Sequence, residues 1–324
     1  MLGTFARVLT TLAMGVFLTP GIQAQEWPTK PIRLVIPSAA GGVADIIFRL
    51  VAPAMESRLG QRFILDNRPG AGGNAGTAEV VRATPDGYTL LLAPSANYAV
   101  NQYLYKTLGF DPLTSLAPVT LLAEASLMAV VNANVPANNL KELLALARAN
   151  PGKLNYGSPA SGTGTHLGGA MFSLLAGDTL VHIPYKGSAP MTVALLANEV
   201  QLAFPSLTAV QPHLKSGKLK ALAIAGKERN PELPEVPTSA EAGFPELLVG
   251  NWWVIAAPRG TDAAIIARLS NEARTALTDA AVRRRIVELG HVPIGMTPAE
   301  ASAYIASEAG RYKNIVERAG IKPE

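Results

Sequence analysis

The fold is decided by a strand–loop–helix unit near the start of the chain, Ile32-Arg33-Leu34-Val35-Ile36-Pro37-Ser38-Ala39-Ala40-Gly41-Gly42. Its mostly apolar first half predicts a strand and its small residues a tight loop. A helical pattern then runs from about Ala44 to Leu59. A second clear unit places the strand 154–156 before the small-residue loop 157–166 and a helix. Such alternation predicts an α/β fold with largely parallel strands.

The first 24 residues have the pattern of a secretory signal. Arg7 is their only charged side chain, an apolar run extends from Val8 to Leu18, and Ala24 supplies the small residue after which we expect cleavage. The apolar run is too short for a stable membrane-spanning helix, and a retained membrane anchor is the alternative interpretation. The segment predicts export to the periplasm.

The remaining length, about 300 residues, is too great for one small core and predicts two lobes. The apolar run Leu121–Val131 predicts a strand that crosses between them. We expect lobe 1 to comprise residues 25–125 and 250–324 and lobe 2 residues 126–249, each with a mixed, mostly parallel sheet flanked by helices. The chain has no cysteine, so core burial must stabilise it, and cysteine-based metal or nucleophile chemistry is excluded.

The charge pattern argues against a nucleic-acid partner. The formal net charge is only +4, and the one basic run, Arg283-Arg284-Arg285, lies in a helical pattern. Such a run is typical of a solvated helix face. We expect a monomer with a small-molecule ligand.

Two loops of small residues, 38–42 and 158–165, each follow a predicted strand and open a predicted helix. Small residues let a ligand approach the backbone closely, and the first turn of a helix has unpaired N–H groups and partial positive charge. Each loop can therefore hold an anion without a basic side chain. Helix capping alone is the alternative for either loop, but two such loops in two lobes favour a clamp for a carboxylate.

Two other glycine-rich stretches resemble nucleotide-binding motifs only in part. Residues 70–75 match the dinucleotide fingerprint, but the next strand ends in Pro94-Ser95 without the acidic residue that a ribose needs. Residues 157–163 have the glycine spacing of a phosphate loop but not its lysine. We therefore expect no cofactor.

A hydrolase is the enzymatic alternative, because His166 lies near several hydroxyl groups. The chain contains no G-x-S-x-G motif, and its four histidines do not have metal-ligand spacing. We expect His166 to hydrogen-bond or cap at a helix start, His182 to be a core or rim residue, and Asp45 to cap the loop at Gly41-Gly42. The sequence thus predicts neither catalysis nor a metal site.

A series of motifs in a fixed order resembles one known family over essentially the whole mature chain, the tripartite tricarboxylate transporter receptors, also called the Bug or TctC family. The matching stretches are Trp27-Pro28-x-Lys30-Pro31-Ile32, Ala39-Ala40-Gly41-Gly42 with Asp45, Asn67-Arg68-Pro69-Gly70-Ala71-Gly72-Gly73-Asn74, Pro85-Asp86-Gly87-Tyr88-Thr89-Leu90-Leu91, Tyr156-Gly157-Ser158-Pro159 with Gly162-Thr163 and His166, Pro184-Tyr185-Lys186-Gly187, Gly217-Lys218-Leu219-Lys220-Ala221-Leu222-Ala223, and Pro237-Thr238-x-x-Glu241-x-Gly243.

The resemblance implies a periplasmic receptor with the type II, or Venus-flytrap, binding-protein fold. It implies a small carboxylate held between the lobes by backbone groups and ordered waters, then passed to a two-component membrane permease or presented to a sensor kinase. The expected ligand-binding residues are Ser38, Ala39, Ala40, Gly41, Gly73, Asn74, Ser95, Ser158, Ser161, Gly162, Thr163, Thr165, His166, Pro205 and Ser206.

The chain departs from the family pattern at two places. Phe204-Pro205-Ser206 stands where many members have Phe-Asp-Asn or Phe-Asp-Ser, and Val43-Ala44 replaces the usual Pro-Thr pair. The first change removes an acid that could meet an amino group, and the second removes a hydroxyl beside the first loop. Both predict a carboxylate without an α-amino group, with an apolar or aromatic body.

Overall fold

The computed structural model describes residues 27–321 and Pro323. The predicted signal segment and its cleavage position lie outside the described residues.

The first lobe is built on a six-stranded mixed sheet. Its strands are β1 (Ile32–Ile36), β2 (Phe63–Asn67), β3 (Thr89–Pro94), β4 (Leu116–Ser126), β10 (Gly250–Pro258) and β11 (Val292–Pro293). They lie in the order β11-β4-β10-β3-β1-β2. β1 is parallel to both β2 and β3, whereas β10 is antiparallel to β3 and β4, and β11 is antiparallel to β4. Four strands therefore run in one direction and two in the other.

The second lobe has a five-stranded mixed sheet. Its strands are β5 (Met128–Asn132), β6 (Leu154–Ser158), β7 (Leu180–Pro184), β8 (Leu202–Ala203) and β9 (Leu219–Ile224). They lie in the order β7-β6-β8-β5-β9. β6 is parallel to β7 and β8, and β5 is antiparallel to β8 and β9. The apolar pattern from Val200 to Phe204 predicts a five-residue strand, but β8 has only two residues in the ladder.

Helices flank both sheets, which confirms the predicted two-lobed α/β fold. The helices are α1 (Val43–Leu59), α2 (Asn74–Val81), α3 (Pro112–Ser115), α4 (Leu140–Ala149), α5 (Gly164–Leu175), α6 (Ser188–Leu196), α7 (Leu207–Lys215), α8 (Ala263–Thr278), α9 (Ala280–Glu288) and α10 (Pro298–Arg318). Short helical turns cover Ala71–Gly73, Ala96–Val100 and Asn101–Tyr103. The sequence patterns did not predict α3, α7, β11 or the turns after β3.

The crossing segments between the lobes are tied together by backbone hydrogen bonds. The predicted crossing strand is divided at Leu127, with β4 before it in one sheet and β5 after it in the other. The N–H of Leu127 donates to Val249 O over 3.1 Å, and Leu127 O accepts the N–H of Ala225 over 2.8 Å. The N–H of Val249 donates to Ala225 O over 2.9 Å. Three chain segments thus meet at one point, where rotation between the lobes would be centred.

An apolar cluster continues from one lobe into the other around this point. It includes Trp252 on β10 and Tyr312 on α10 together with Leu167 and Phe204 of the second lobe. α10 packs against β4, against the helical turn after β3 and against α5 of the second lobe. Burial of apolar surface is the main stabilising contribution in a chain of this kind, so part of the stability depends on contact between the lobes.

Candidate functional site

The predicted site residues of the first lobe lie at the carboxyl ends of its parallel strands. Ser38 follows β1, Asn74 follows β2, and Ser95 follows β3. In open α/β sheets, ligands bind at this edge, where the loops between strands and helices meet. The sheet order β3-β1-β2 brings the three loops side by side.

The loop after β1 has a fixed shape and several available N–H groups. Gly41 has a φ of 77°, a left-handed conformation that favours glycine. Its N–H donates to the Asp45 carboxylate over 3.1 Å, as predicted, and the Asn67 amide donates to Ser38 O over 3.1 Å. Arg49 also binds Asp45, and this bond lowers the pKa of the buried carboxyl group. Within the described residues, the N–H groups of Ser38, Ala39 and Ala40 meet no protein acceptor.

The glycine-rich loop after β2 is held by two asparagines from the turns after β3. The side-chain amides of Asn97 and Asn101 donate to Gly72 O over 2.8 and 3.2 Å, and Asn101 also donates to Asn74 Oδ1 over 2.6 Å. Gly73 has a φ of 85°, and a Cβ there would lie 2.5 Å from the Asn97 amide nitrogen. This position therefore needs glycine for both its conformation and its space.

The loop after β6 is the equivalent structure in the second lobe. Ser158 is fully buried, and its hydroxyl donates to Ala160 O over 3.0 Å. The Thr163 side chain caps α5 by accepting the N–H of His166 over 3.3 Å. In the described part of the chain, the N–H groups of Ala160, Ser161 and Thr163 donate to no protein group. Both lobes therefore present short runs of available backbone donors.

Two stacked histidines lie beneath this loop. The His166 and His182 rings are 3.9 Å apart at an angle of 16°, and the Tyr156 ring stacks on both, 5.0 Å from His182 and 6.2 Å from His166. His166 Nδ1 accepts the N–H of Gly162 over 2.9 Å, while His182 Nε2 lies 2.7 Å from Ser158 Oγ. Burial, with proximity to His182 as a second cause, lowers the pKa of His166 to about 3, and burial lowers the pKa of His182 to about 4. Both rings are neutral at pH 7.

The loops of the two lobes converge through the segment after β3. Asn101 in this segment contacts the glycine-rich loop, and a Cβ on Gly162 of the second lobe would overlap the Leu104 side chain. Gly164, at the start of α5, approaches Asn251 on β10 so closely that a Cβ would lie 3.0 Å from Asn251 Oδ1. The two sets of donors therefore border one interlobe cleft.

The starts of the helices at this cleft differ from those elsewhere. Among the described residues, α1, α2, α6 and α7 have no side chain bonded to their first turn. All four follow strands whose carboxyl ends lie at the cleft, and the fifth helix there, α5, is capped by Thr163. The helices α3, α4, α8, α9 and α10 are each capped by an Asp, Asn or Thr side chain. Unpaired N–H groups and partial positive charge are thus concentrated at the cleft.

The predicted site residues differ in their accessibility. Ala39, Ala40, Gly41 and Ser161 are exposed, while Ser38, Asn74, Thr163 and Ser206 are half-buried. Gly73, Ser95, Ser158, Gly162, Thr165, His166 and Pro205 are buried. Pro205 O accepts the N–H of Met128 over 3.1 Å, which ties the end of β8 to the crossing segment. Of the predicted site residues, the exposed and half-buried members are therefore the ones that a ligand could reach without rearrangement of the loops.

The sequence patterns did not single out Asn97, Asn101 or His182 as site residues. The two asparagines are four residues apart, so on a helical turn they share one face, and they follow a strand end. That spacing was the sequence pattern that could have indicated a joint role for the two asparagines. No sequence pattern indicated a role for His182. Its contact with Ser158 depends on the register of β6 against β7, in which Tyr156 lies opposite His182.

Two further findings concern the described residues alone. The described residues include no group of three or more histidine, aspartate or glutamate side chains placed to hold a metal ion. Among them, no helix combines the length and the apolar character needed to span a membrane.

The paired sheets, the crossing segments and the donor-rich loops define a two-lobed binding protein. Residues 47–321 match the family described as the tripartite tricarboxylate transporter family receptor, TctC. The chain is 36% identical over 315 residues to Protein BugT of Bordetella pertussis, covering 95% of this chain and 97% of BugT. It therefore belongs to the TctC family of receptors, which confirms the resemblance.

Solved structures agree with this assignment. Rpa4515 of R. palustris, solved with adipate, is 33% identical with a TM-score of 0.79, covering 92% of this chain and 100% of that chain. MatC from Rhodopseudomonas palustris, solved with bound malate, is 30% identical with a TM-score of 0.75, covering 90% of this chain and 100% of that chain.

Proposed function

We propose that this protein is a periplasmic receptor that captures a small organic carboxylate between its lobes for uptake by a tripartite tricarboxylate-type transporter. The observation that carries this proposal is the concentration of uncapped helix starts at the cleft. A carboxylate would accept the N–H groups that no side chain accepts and would be stabilised by the helix dipoles. Relatives solved with adipate and with malate support an acid of this size.

The proposed ligand is a carboxylate without an α-amino group. Ser206 begins α7 at the cleft, and Pro205 before it is buried and offers no side-chain acceptor. Asp45 is 2% exposed and already accepts bonds from Gly41 and Arg49. An ammonium group in the cleft would lose water without gaining an acid partner, which costs free energy. Exposed Ala39 and Ala40 suit an apolar body instead.

Calorimetry with a panel of acids tests this ligand class. We expect adipate or benzoate to bind at least about tenfold more tightly than glutamate, because an unpaired ammonium costs 1.4 kcal/mol or more and each 1.4 kcal/mol is about tenfold in Kd. Malate, which is similar in size to aspartate but has a hydroxyl in place of the amine, is the matched comparison with aspartate. Tight binding of glutamate or aspartate, with no binding of the acids that have no amine, would contradict the proposal.

The proposed mechanism is hinge closure between lobe 1 (residues 25–125 and 250–324) and lobe 2 (residues 126–249). Ligand contacts from both lobes would favour the closed arrangement. The crossing point at Leu127, Ala225 and Val249 supports this mechanism, because three backbone hydrogen bonds bring the crossing segments together at one place.

Gly226, beside that axis, provides a test of closure. A Cβ at this position would overlap the Ser126 side chain, so we expect Gly226→Ala to shift the crossing segments from the arrangement described here and to weaken binding of the best panel acid about tenfold. The double variant G226A/S126G removes the overlap and should recover the wild-type affinity. X-ray scattering with saturating acid should show compaction for wild type and the double variant but less for G226A. Equal affinity and equal compaction in G226A would contradict this hinge.

A periplasmic hydrolase is the enzymatic alternative, and the 2.7 Å contact between Ser158 Oγ and His182 Nε2 is the observation that favours it. Ser158 is 0% exposed, however, and its hydroxyl is also bonded to Ala160 O. A nucleophile must reach its substrate, so we propose binding without chemistry. A receptor that presents its ligand to a sensor kinase would share this fold and site, and capture of a permease or of a kinase from membranes distinguishes the two roles. In either role we propose a monomer that uses no cofactor.

A further inference from the structure

We propose that His182 is a positioning residue that holds the second-lobe loop 158–163 in its donor-presenting shape without touching the ligand. This inference rests on the proposed function, since the loop is taken to be one side of the carboxylate site. It assigns a role to a side chain on β7 that lies outside the loop itself.

The first contact is with Ser158. His182 Nε2 lies 2.7 Å from the Ser158 hydroxyl, which is 0% exposed and also bonds Ala160 O. The hydroxyl therefore connects the β7 imidazole to the turn that precedes the available N–H groups. Removing the imidazole would leave a fully buried hydroxyl with one partner fewer, and such losses are costly in a dry site.

The second contact is with His166. The two imidazoles stack at 3.9 Å, and His166 Nδ1 accepts the N–H of Gly162 over 2.9 Å. His182 thus supports the ring that accepts the Gly162 N–H, and Tyr156 packs against both imidazoles. This bond occupies the Gly162 N–H and His166 Nδ1, so His166 holds the loop through that nitrogen.

Together the two contacts fix the loop at both ends of its donor run. Ser158 precedes Ala160 and Ser161, whose N–H groups are available, and Gly162 follows them. A loop fixed before the ligand arrives loses less conformational freedom on binding, which improves affinity. We therefore expect variants of His182 to alter both ligand affinity and the mobility of the loop in the free protein.

The imidazole atoms in use allow a matched set of variants. At position 182, a glutamine side chain places a polar atom where His182 Nε2 lies, whereas asparagine is too short to reach Ser158. At position 166 the order is reversed, because His166 uses Nδ1. Asparagine places a polar atom where Nδ1 lies, and glutamine does not. We expect H182Q and H166N to stay within about threefold of the wild-type Kd for adipate. We expect H182N, H182A and H166Q to weaken binding about tenfold, the cost of one buried hydrogen bond.

Hydrogen exchange of the Gly162 amide, which His166 Nδ1 accepts, gives a second readout when it is measured without ligand. The same three weakened variants should exchange this amide about tenfold faster than wild type, while H182Q and H166N should not. If H182N and H182Q behave alike in exchange, or if H182A leaves exchange unchanged, His182 does not position the loop. If wild type binds none of the panel acids that have no amine, the proposed ligand class fails, and the exchange data still decide the role of His182.

Discussion

Lowering the pH from 7 to 5 will reduce the free energy of unfolding by several kcal/mol, and buried histidines will account for most of the loss. Burial lowers the pKa of His166 to about 3 and the pKa values of His182 and His291 to about 4. In the unfolded chain the ordinary histidine pKa is about 6.5. Between these values the unfolded state binds protons that the folded state does not, so stability falls as the pH falls.

The window and size of this effect follow from the same values. The loss begins near pH 6.5 and continues to about pH 4 for His182 and His291 and to about pH 3 for His166. Each fully buried histidine costs about 1.4 kcal/mol per pH unit in its window, or about 2 kcal/mol by pH 5. His166 and His291 are 4% and 6% exposed, so the full figure applies to them. The half-buried His182 will contribute less, because solvent screens it.

Urea unfolding at several pH values measures this slope, and two variants identify its source. Replacing His166 by Asn should remove about one histidine's share of the slope between pH 6.5 and 5. Asp45→Asn should keep the wild-type slope there, because Asp45 has a lowered carboxyl pKa and loses its contribution only as the pH falls below its ordinary value of 3.8. A wild-type stability that is flat from pH 7 to 5 would contradict the prediction.

Trp252→Ala will destabilise the protein by about 3–5 kcal/mol, the usual cost of truncating a large buried aromatic side chain. Trp252 is 1% exposed on β10, the strand that returns from the second lobe. Its ring packs 6.4 Å from Tyr98 and 5.9 Å edge-on from Tyr304. These residues belong to the apolar cluster that continues into the second lobe, so the cavity would weaken contact between the lobes as well as the core.

Two controls separate packing from other causes. Trp252→Phe should cost less than the alanine variant because it keeps most of the ring volume, and the indole N–H has no acceptor among the described residues that would be lost. Ile64→Ala, on β2 where the side chain is 56% exposed, should change stability by about 1 kcal/mol or less. A loss below about 1 kcal/mol in Trp252→Ala would show that the cluster contributes little.

Much of the fold could be predicted because it repeats one local unit. The β1–α1 and β6–α5 units each combine a short apolar strand, a loop of small residues and an amphipathic helix, and such patterns are local. The mixed order of the sheets could not be predicted in this way. It depends on β10 inserting between β3 and β4, a pairing between segments more than a hundred residues apart, which leaves no local pattern.

The elements missed by the sequence patterns have weak local signals. α7 carries Pro212 inside it and follows a ladder of only two residues. Its apolar positions Leu207, Val210 and Leu214 have helical spacing, which was the available indication. The turns after β3 span only five and three residues, too few to show a periodic pattern, and the first of them packs against α10.

The candidate site was predictable where it depends on backbone geometry and not where it depends on register. The loops at Ser38 and Ser158 were predictable as loops because small residues between a strand and a helix form a local pattern, and their role in binding stays a prediction. The support of those loops by Asn97, Asn101 and His182 was not found, because each contact joins residues that are 24 or more positions apart in the chain.

The open helix starts at the cleft also make the empty receptor sensitive to the salts around it. Sulfate, phosphate and acetate can accept the same backbone N–H groups as an organic acid. In phosphate buffer the acid then competes with phosphate for these N–H groups. The apparent Kd of the acid should fall when phosphate is replaced by an anion that cannot enter the cleft. In its compartment, such a protein would report the ratio of its acid to the surrounding anions rather than the concentration of the acid alone.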